Sequence, residues 1–365
     1  MRLSPTLSRY IGRQFLIWFG VFFSGLMFII FVADVLELLR RSASKPDVTI
    51  GIVLKMALFK LPHTAESLMA FAILFGGIMA FWRLTRSNEL IVARAVGVSV
   101  WQFMAPAVIA AVLLGVVKVT VFNPIAAAML ARYEQLEAKT LHGQIDQLTI
   151  APTGLWLRQG SPDGGEAIIH ADKAIGSVAQ LQRVTVLLFK PDNSFETRLD
   201  ATSARLEPGH WMLEDTFSAT AGQPSAKIGE YSLPTQFTVD KIQESFARPE
   251  TMSFWALPGF IDLLQRAGFS AIRHRLYLQS LLAGPLLLSA MILIAATFSL
   301  RPARRGGVGT MLGLGVGTGF LLYFVSDLVF ALGLSARIPV VLAAWAPALI
   351  STLLGFAMLL HLEDG

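Results

Sequence analysis

Three groups of residues in this sequence carry types and spacings that could do chemistry or recognise a partner. The first is Arg86, Ser87, Glu89, Leu90, Ile91 and Arg94, inside the stretch Arg83 to Gly97, R-L-T-R-S-N-E-L-I-V-A-R-A-V-G. The Ser87 hydroxyl can cap free N–H groups of a first helical turn, Glu89 lies where the helix dipole favours an anion, and Gly97 suits a helix stop. Leu90, Ile91 and Val92 stay apolar, although nothing there is long enough to cross a bilayer. Such a helix can dock into another protein or rest on lipid headgroups, and spacing alone does not separate the two. The second group, Asp34, Glu37, Arg40 and Arg41, closes the first long apolar run. Paired guanidinium groups can bind a phosphate bidentately, and ordinary snorkelling at a helix end would use the same residues. The third is Lys118 and Asp327, each inside an apolar run, where an unpaired charge costs about 2.5–3.5 kcal/mol or more. They should face the bundle interior, a polar cavity or each other.

Enzyme signatures are missing. No G-x-x-x-x-G-K-[ST], H-E-x-x-H or G-x-S-x-G occurs, so the chain carries no phosphate loop of its own and no catalytic or metal site is expected. The histidines at 63, 142, 170, 210, 274 and 361 have no ligand-type spacing. Gly306-Gly307-Val308-Gly309 lacks the preceding strand that a nucleotide fingerprint needs. With no Cys, disulfides and thiolate chemistry are excluded.

The elements that must position these residues are mostly membrane helices. The 365 residues are 54% hydrophobic and 15% charged, against about 25% charged in a soluble domain. Residues 131–250 hold 11 Lys and Arg against 16 Asp and Glu, while the remainder holds 19 against 9. A basic membrane portion surrounding a mildly acidic insertion argues against nucleic-acid binding. Apolar runs at Phe15–Ala33, Ile50–Trp82, Val100–Phe122, Leu276–Leu300, Val308–Leu334 and Pro339–Leu360 read as six spans. Pro62 marks an expected kink in the second, and Pro106 lies inside the third. Arg2, Arg9 and Arg13 precede the first span, and Arg301, Arg304 and Arg305 fill the turn after the fourth. The positive-inside rule then puts both termini and Arg83–Gly97 in the cytoplasm, with the insertion outside.

Within the insertion, Ile125 to Lys139 reads as a helical extension. Strands are expected at Gly154–Arg158, Ala167–Ala171, Arg183–Phe189, Ser194–Leu199, Trp211–Phe217 and Gln236–Val239, separated by Pro-, Gly- and Asn-rich turns. This spacing predicts an antiparallel sandwich or open barrel. Leu257 to Ala267 reads as a short amphipathic helix. In the fifth span Gly309, Gly313, Gly315, Gly317 and Gly319 repeat the G-x-x-x-G spacing, which allows close packing within this chain, against a second subunit, or as a sliding contact.

Several strings, in their order and spacing, resemble the LptF/LptG family of lipopolysaccharide-export permeases. They are L-S-R-Y-I-G-R-Q-F-L (Leu7 to Leu16), D-V-L-E-L-L-R-R (Asp34 to Arg41), R-S-N-E-L-I-V-A-R-A-V-G (Arg86 to Gly97), T-G-L-W-L-R (Thr153 to Arg158), the W-x-L-x-D at Trp211, Leu213 and Asp215, and Ile338 to Pro347 after Tyr323 and Asp327. The first two strings lean toward the G-type member. The resemblance implies an α-helical polytopic membrane protein of the bacterial inner membrane, three helices on either side of a periplasmic antiparallel β-jellyroll-like domain. The expected division is 1–124, 125–256 and 257–365. It implies an ABC-type exporter subunit that is not itself an enzyme and binds no cofactor, the ATP-Mg being used by an LptB-like cytoplasmic ATPase dimer. A second, LptF-like permease, an LptC/LptA-like periplasmic bridge and lipopolysaccharide would be the other partners. Carried over by position, Arg86, Ser87, Glu89, Leu90, Ile91 and Arg94 would meet the ATPase. Asp34, Glu37, Arg40, Arg41 and Asp327 would lie toward the substrate, although some relatives have a basic residue where this chain has Asp34. The competing expectation is a membrane-anchored envelope sensor or assembly factor whose β domain binds a ligand and moves nothing.

Overall fold

The computed structural model describes residues 5–43, 48–95, 97–138, 140, 147–151, 154–160, 165–175, 180–192, 194–220, 224–235, 237–238, 248–266, 270–299 and 308–364. They form two compact units. One comprises residues 1–140, 253–255 and 275–365, and the other residues 141–252 and 256–274.

The first unit is helical. Its elements are α1 (Pro5–Ser42), α2 (Ile50–Arg86), α3 (Glu89–Ala95), α4 (Val100–Val117), a π-turn (Lys118–Phe122), α5 (Asn123–Glu137), α7 (Ile272–Ser299, which begins in the other unit), α8 (Val308–Leu334) and α9 (Val340–Asp364). Six of its helical rods are long and apolar enough to cross a membrane, the third being α4, the π-turn and α5 run together. At 1.5 Å per residue the 38-residue α1 is about 57 Å long, well beyond a hydrocarbon core of about 30 Å. The apolar run of 15–33 is therefore only the middle of a helix that projects at both ends. Pro62 lies inside an unbroken α2. The core joins Ile11 and Phe15 of α1 to Ile73, Ile78 and Phe81 of α2, Phe103 and Met104 of α4, and Leu288 to Ala296 of α7. Close backbone approach fixes some of these pairs, since a Cβ on Gly76 would stand 2.8 Å from the Phe19 backbone.

The second unit is an antiparallel sheet of seven described strands: β1 (Gln147–Ala151), β2 (Gly154–Gly160), β3 (Glu166–Ile175), β4 (Gln180–Phe189), β5 (Phe195–Glu207), β6 (His210–Thr220) and β7 (Ala226–Pro234). They neighbour one another in chain order, as a meander. In a flat sheet, with strands about 4.8 Å apart, β2 and β7 would be separated by about 24 Å. Yet Gln159 Nε2 of β2 donates to the Pro234 carbonyl of β7 at 2.9 Å, and Thr235 Oγ1 donates to Gln159 Oε1 at 2.6 Å. The sheet must therefore curl until its sides meet, as an open barrel does. Its inner face alternates correctly along β2, with Leu155, Leu157 and Gln159 buried and Trp156 and Arg158 exposed. The core gathers Ile169, Leu181, Val186, Leu199, Trp211 and Leu213, and Leu264 of α6 (Leu257–Arg266) packs into it.

Two strands, β1 and β7, were not expected from the sequence. β7 reads A-K-I-G-E-Y-S-L-P, with few β-branched residues and a mostly exposed face. The expected strand at 236–239 is absent where it can be seen. Thr235 Oγ1 accepts from the Phe237 N–H at 3.1 Å and ends the extended run, while Gln236 and Val239 lie outside the described residues.

Candidate functional site

The segment between α2 and α4 is built as a rigid bracket. Ser87 does not cap the start of α3. It is the last-turn cap of α2, its N–H donating to the Arg83 carbonyl at 3.0 Å while the Asn88 N–H donates to the Thr85 carbonyl at 3.1 Å. Asn88, at φ 60°, makes the corner in the left-handed region that asparagine tolerates best after glycine. Its carbonyl takes the Val92 N–H and so opens α3. Gly97, at φ 89°, closes it, and the Val98 N–H reaches back to the Ala93 carbonyl in a Schellman arrangement. Ser99 then starts α4 with a capping box to Gln102.

Leu90 and Val92, read from sequence as one apolar patch, separate. Leu90 is 4% exposed and belongs to the helical core, so it pins α3 to its own chain rather than facing outward. Val92 is 62% exposed. The side chains of Ile91 and Arg94 lie outside what the structure describes. Glu89, half-buried, accepts hydrogen bonds on Oε1 from Ser87 Oγ at 2.8 Å and from Tyr10 OH at 3.2 Å. Its other oxygen is used by neither bond. Arg86 lies over the Trp82 ring at 5.1 Å, which holds an exposed cation in place. Gln14, with its amide oxygen turned to both donors, accepts from Arg83 Nη1 and Trp18 Nε1 at 3.0 Å. Thr85 Oγ1 donates to the Ser299 carbonyl at 3.1 Å, and Ser299 Oγ to the Ile78 carbonyl at 3.0 Å. The bracket is thus tied to α1 and α7 as well as to its own two helices. Tyr10 and Gln14 had no signal in sequence, because their spacing from residues 83–89 exists only in three dimensions.

At the other end of α1 the charges sort themselves differently from a simple cluster. Asp34 turns to α2, where Lys60 Nζ meets its Oδ1 at 2.6 Å. That lysine, in sequence only an interruption of the second apolar run, is the counter-charge that makes Asp34 tolerable. Glu37 receives Arg40 Nε at 2.9 Å and Arg41 Nε at 2.8 Å. Arg41 also reaches Glu137 at 3.7 Å. Both guanidinium groups remain exposed, at 78% and 54% of their side-chain surface, so each keeps donors free for an anion. Asp327 does not meet them or Lys118. It is exposed on the outer face of α8, which packs on α2 and α9. The carboxylate whose charge acts on Lys118 is Glu66 of α2, so of the placements left open by the sequence Lys118 takes the bundle interior and not a pair with Asp327.

The glycines of α8 divide between two faces. A Cβ on Gly315 or Gly319 would press on Ile78 or on Leu74 and Phe71 of α2, whereas Gly313 and Gly317 meet nothing within 4 Å. Arg301, Arg304 and Arg305 lie outside the described residues. In the β unit, a cavity of about 640 Å³ opens at one end of the curled sheet. Leu188, Phe189, Leu199, Ile228, Tyr231 and Leu233 give it apolar walls, and Glu166, Lys190 and Glu196 lie at its polar margin. No group of three or more His, Asp or Glu among the described residues is placed to hold a metal ion.

Comparison with known proteins agrees with this architecture. The chain is 21% identical over 351 residues to the lipopolysaccharide export system permease protein LptG of Escherichia coli (strain K12), covering 94% of each protein. It is 21% identical over 359 residues to the protein of that name from Haemophilus influenzae (strain ATCC 51907 / DSM 11121 / KW20 / Rd), covering 94% of this chain and 95% of that one. The family model described as lipopolysaccharide export system permease LptF/LptG matches residues 9–361, and the chain belongs to that family.

Proposed function

We propose that this chain is the G-type permease subunit of an ATP-driven exporter that takes lipopolysaccharide from the inner membrane and passes it through a periplasmic β domain to a bridge protein. ATP-Mg belongs to a separate cytoplasmic ATPase dimer, and a second, F-type permease completes the membrane part. The observation that supports this most is the bracket at 83–97. A seven-residue helix, closed at both ends and pinned by Leu90, presents Val92 outward and leaves one Glu89 oxygen for a partner's donor. A helix resting on lipid would not need that rigidity. Force applied to α3 passes directly to α2, through Thr85 to α7, and through Tyr10 to α1.

The substrate end fits the same reading. Arg40 and Arg41 stand at the outer end of α1 with exposed guanidinium groups that suit lipid A phosphates. The apolar cavity of the β unit suits an acyl chain.

The test is a detergent pull-down of the full chain with Glu89→Ala beside it. The parent should recover an ATP-binding subunit and a second six-span permease. Loss of a charge-assisted hydrogen bond should reduce ATPase recovery about tenfold or more in the variant. If neither partner accompanies the parent chain, the exporter reading fails and a non-transporting envelope sensor takes its place.

A further inference from the structure

The break in the third membrane rod has a cause in sequence and an occupant in the structure. Pro124 has no amide hydrogen, so the Thr120 carbonyl loses the donor that an α-helix would give it. At this proline, unlike Pro62 within the regular α2, the chain forms a π-turn at Lys118–Phe122, in which the Asn123 N–H returns to the Lys118 carbonyl. Single π-turns place backbone and side-chain groups where a regular helix does not, and often mark functional positions.

Residues 253–255 use what the turn exposes. Trp255 Nε1 donates to the Thr120 carbonyl at 3.1 Å, and the Phe254 N–H donates to Asn123 Oδ1 at 2.8 Å. Asn123 is fully buried, and its Nδ2 donates to Tyr277 OH at 3.0 Å and to Glu66 Oε2 at 3.5 Å. One asparagine therefore joins α2, the third rod, α7 and the returning chain. Residues 253–255 group with the helical unit, although residues on both sides of them belong to the β unit. A link meant only to be covalent would not need a buried amide that donates twice and accepts once. Trp255 itself is 65% exposed, so the indole contributes little to the core and its N–H is the part that matters here.

We propose that Asn123 and the Thr120 carbonyl form a joint that holds residues 253–255 to the helices, and that export depends on it. Rearrangement of α2, the third rod and α7 is delivered through this pair of bonds to residues 253–255, which lie in the chain between two stretches of the β unit. Asn123 and Trp255 are positioning residues, and their role in export rests on the transport reading above.

The experiment reconstitutes the full chain with its second permease and partner ATPase in proteoliposomes containing lipopolysaccharide, with the bridge protein as acceptor. ATP hydrolysis and lipid release are measured in parallel, and hydrogen exchange is followed at the Phe254 amide. Trp255→Phe keeps the ring and removes only its donor, while Asn123→Leu removes the buried amide at similar volume. Loss of one hydrogen bond should lower lipid release roughly two- to tenfold in Trp255→Phe with hydrolysis retained. Asn123→Leu should lower release further and speed Phe254 exchange. Release equal to the parent's in Trp255→Phe overturns the proposal, and so does an equal fall of hydrolysis and release in that variant. A parent complex that hydrolyses ATP but releases no lipid overturns the transport reading instead, and the Phe254 exchange rates then report separately whether the anchor exists.

Discussion

At the scale of single residues, the membrane charges are best understood as partners before they are understood as sites. Asp34 is held by Lys60 across the α1–α2 contact, and removing one member leaves an uncompensated charge. Lys60→Met should destabilise the helical unit by about 1–3 kcal/mol, the cost of leaving a part-buried carboxylate without its partner, read as a fall in detergent thermal stability. Asp34→Asn combined with Lys60→Met should recover most of that loss. A double variant as unstable as the single one would show that the pair is not the cause. In the β unit the Asp215 carboxyl is held below the usual carboxylate range by its hydrogen bond and charge attraction to Lys227, at 2.5 Å, with a further bond from Thr202. Its folded value is depressed, so its contribution is present above the ordinary value of about 3.9 and is lost as pH falls through the lower one. Protection factors for β6–β7 amides should therefore drop below about pH 4. Lys227→Met should flatten that dependence, and an unchanged profile would dismiss the ion pair as a contributor.

At the scale of elements, α8 presents two surfaces from one glycine repeat. Gly315 and Gly319 are occupied by α2, while Gly313 and Gly317 face outward. Gly319→Leu forces side chains into Leu74 and Phe71 and should cost about 1–3 kcal/mol of stability in the isolated chain. Gly317→Leu should leave that stability unchanged. Equal melting shifts for the two variants would mean that the repeat is not divided as the packing shows. The third rod gives a second element-scale case. Pro124→Ala restores the missing N–H, should close the π-turn into regular helix, and should withdraw the Thr120 carbonyl from Trp255. The fluorescence difference between this variant with and without Trp255→Phe would then shift relative to the same difference in the parent.

At the scale of the molecule, the helical unit leaves a broad apolar face exposed on two of its rods. α1 exposes Ile17, Val21, Phe28 and Ile29, and α8 exposes Phe320, Tyr323, Phe324 and Leu328, while α7 is almost wholly enclosed. A single chain can leave such faces to lipid. A permease that assembles with a second one covers part of them. Cysteine variants at Phe28 and Phe324, in a chain that has no native Cys, should react with a lipid-soluble thiol probe. Adding the F-type permease proposed above should protect at least one of them. Equal labelling of both sites in the alone and assembled states would rule these faces out as the seam.

The sequence by itself determined the membrane rods, most of the strands and the presence of a stopped helix at 83–97. Apolar length, two-residue alternation, and Gly or Pro punctuation are local properties of the chain, and they need no partner to be read. It did not determine the π-turn: Pro62 and Pro124 each remove a donor from the carbonyl four residues earlier, yet α2 stays regular and only the third rod forms the turn. Only the tertiary structure decided which residues those features would serve. Leu90 became a core anchor, Ser87 became the end of α2, Lys118 faced Glu66, and Asp34 found Lys60, because each assignment depends on which helices lie side by side. The curl that joins Gln159 to Thr235, and the buried amide of Asn123 holding Phe254, bring together residues far apart in the chain. Hydrogen bonds are short and directional, whereas sequence spacing constrains only neighbours along one element.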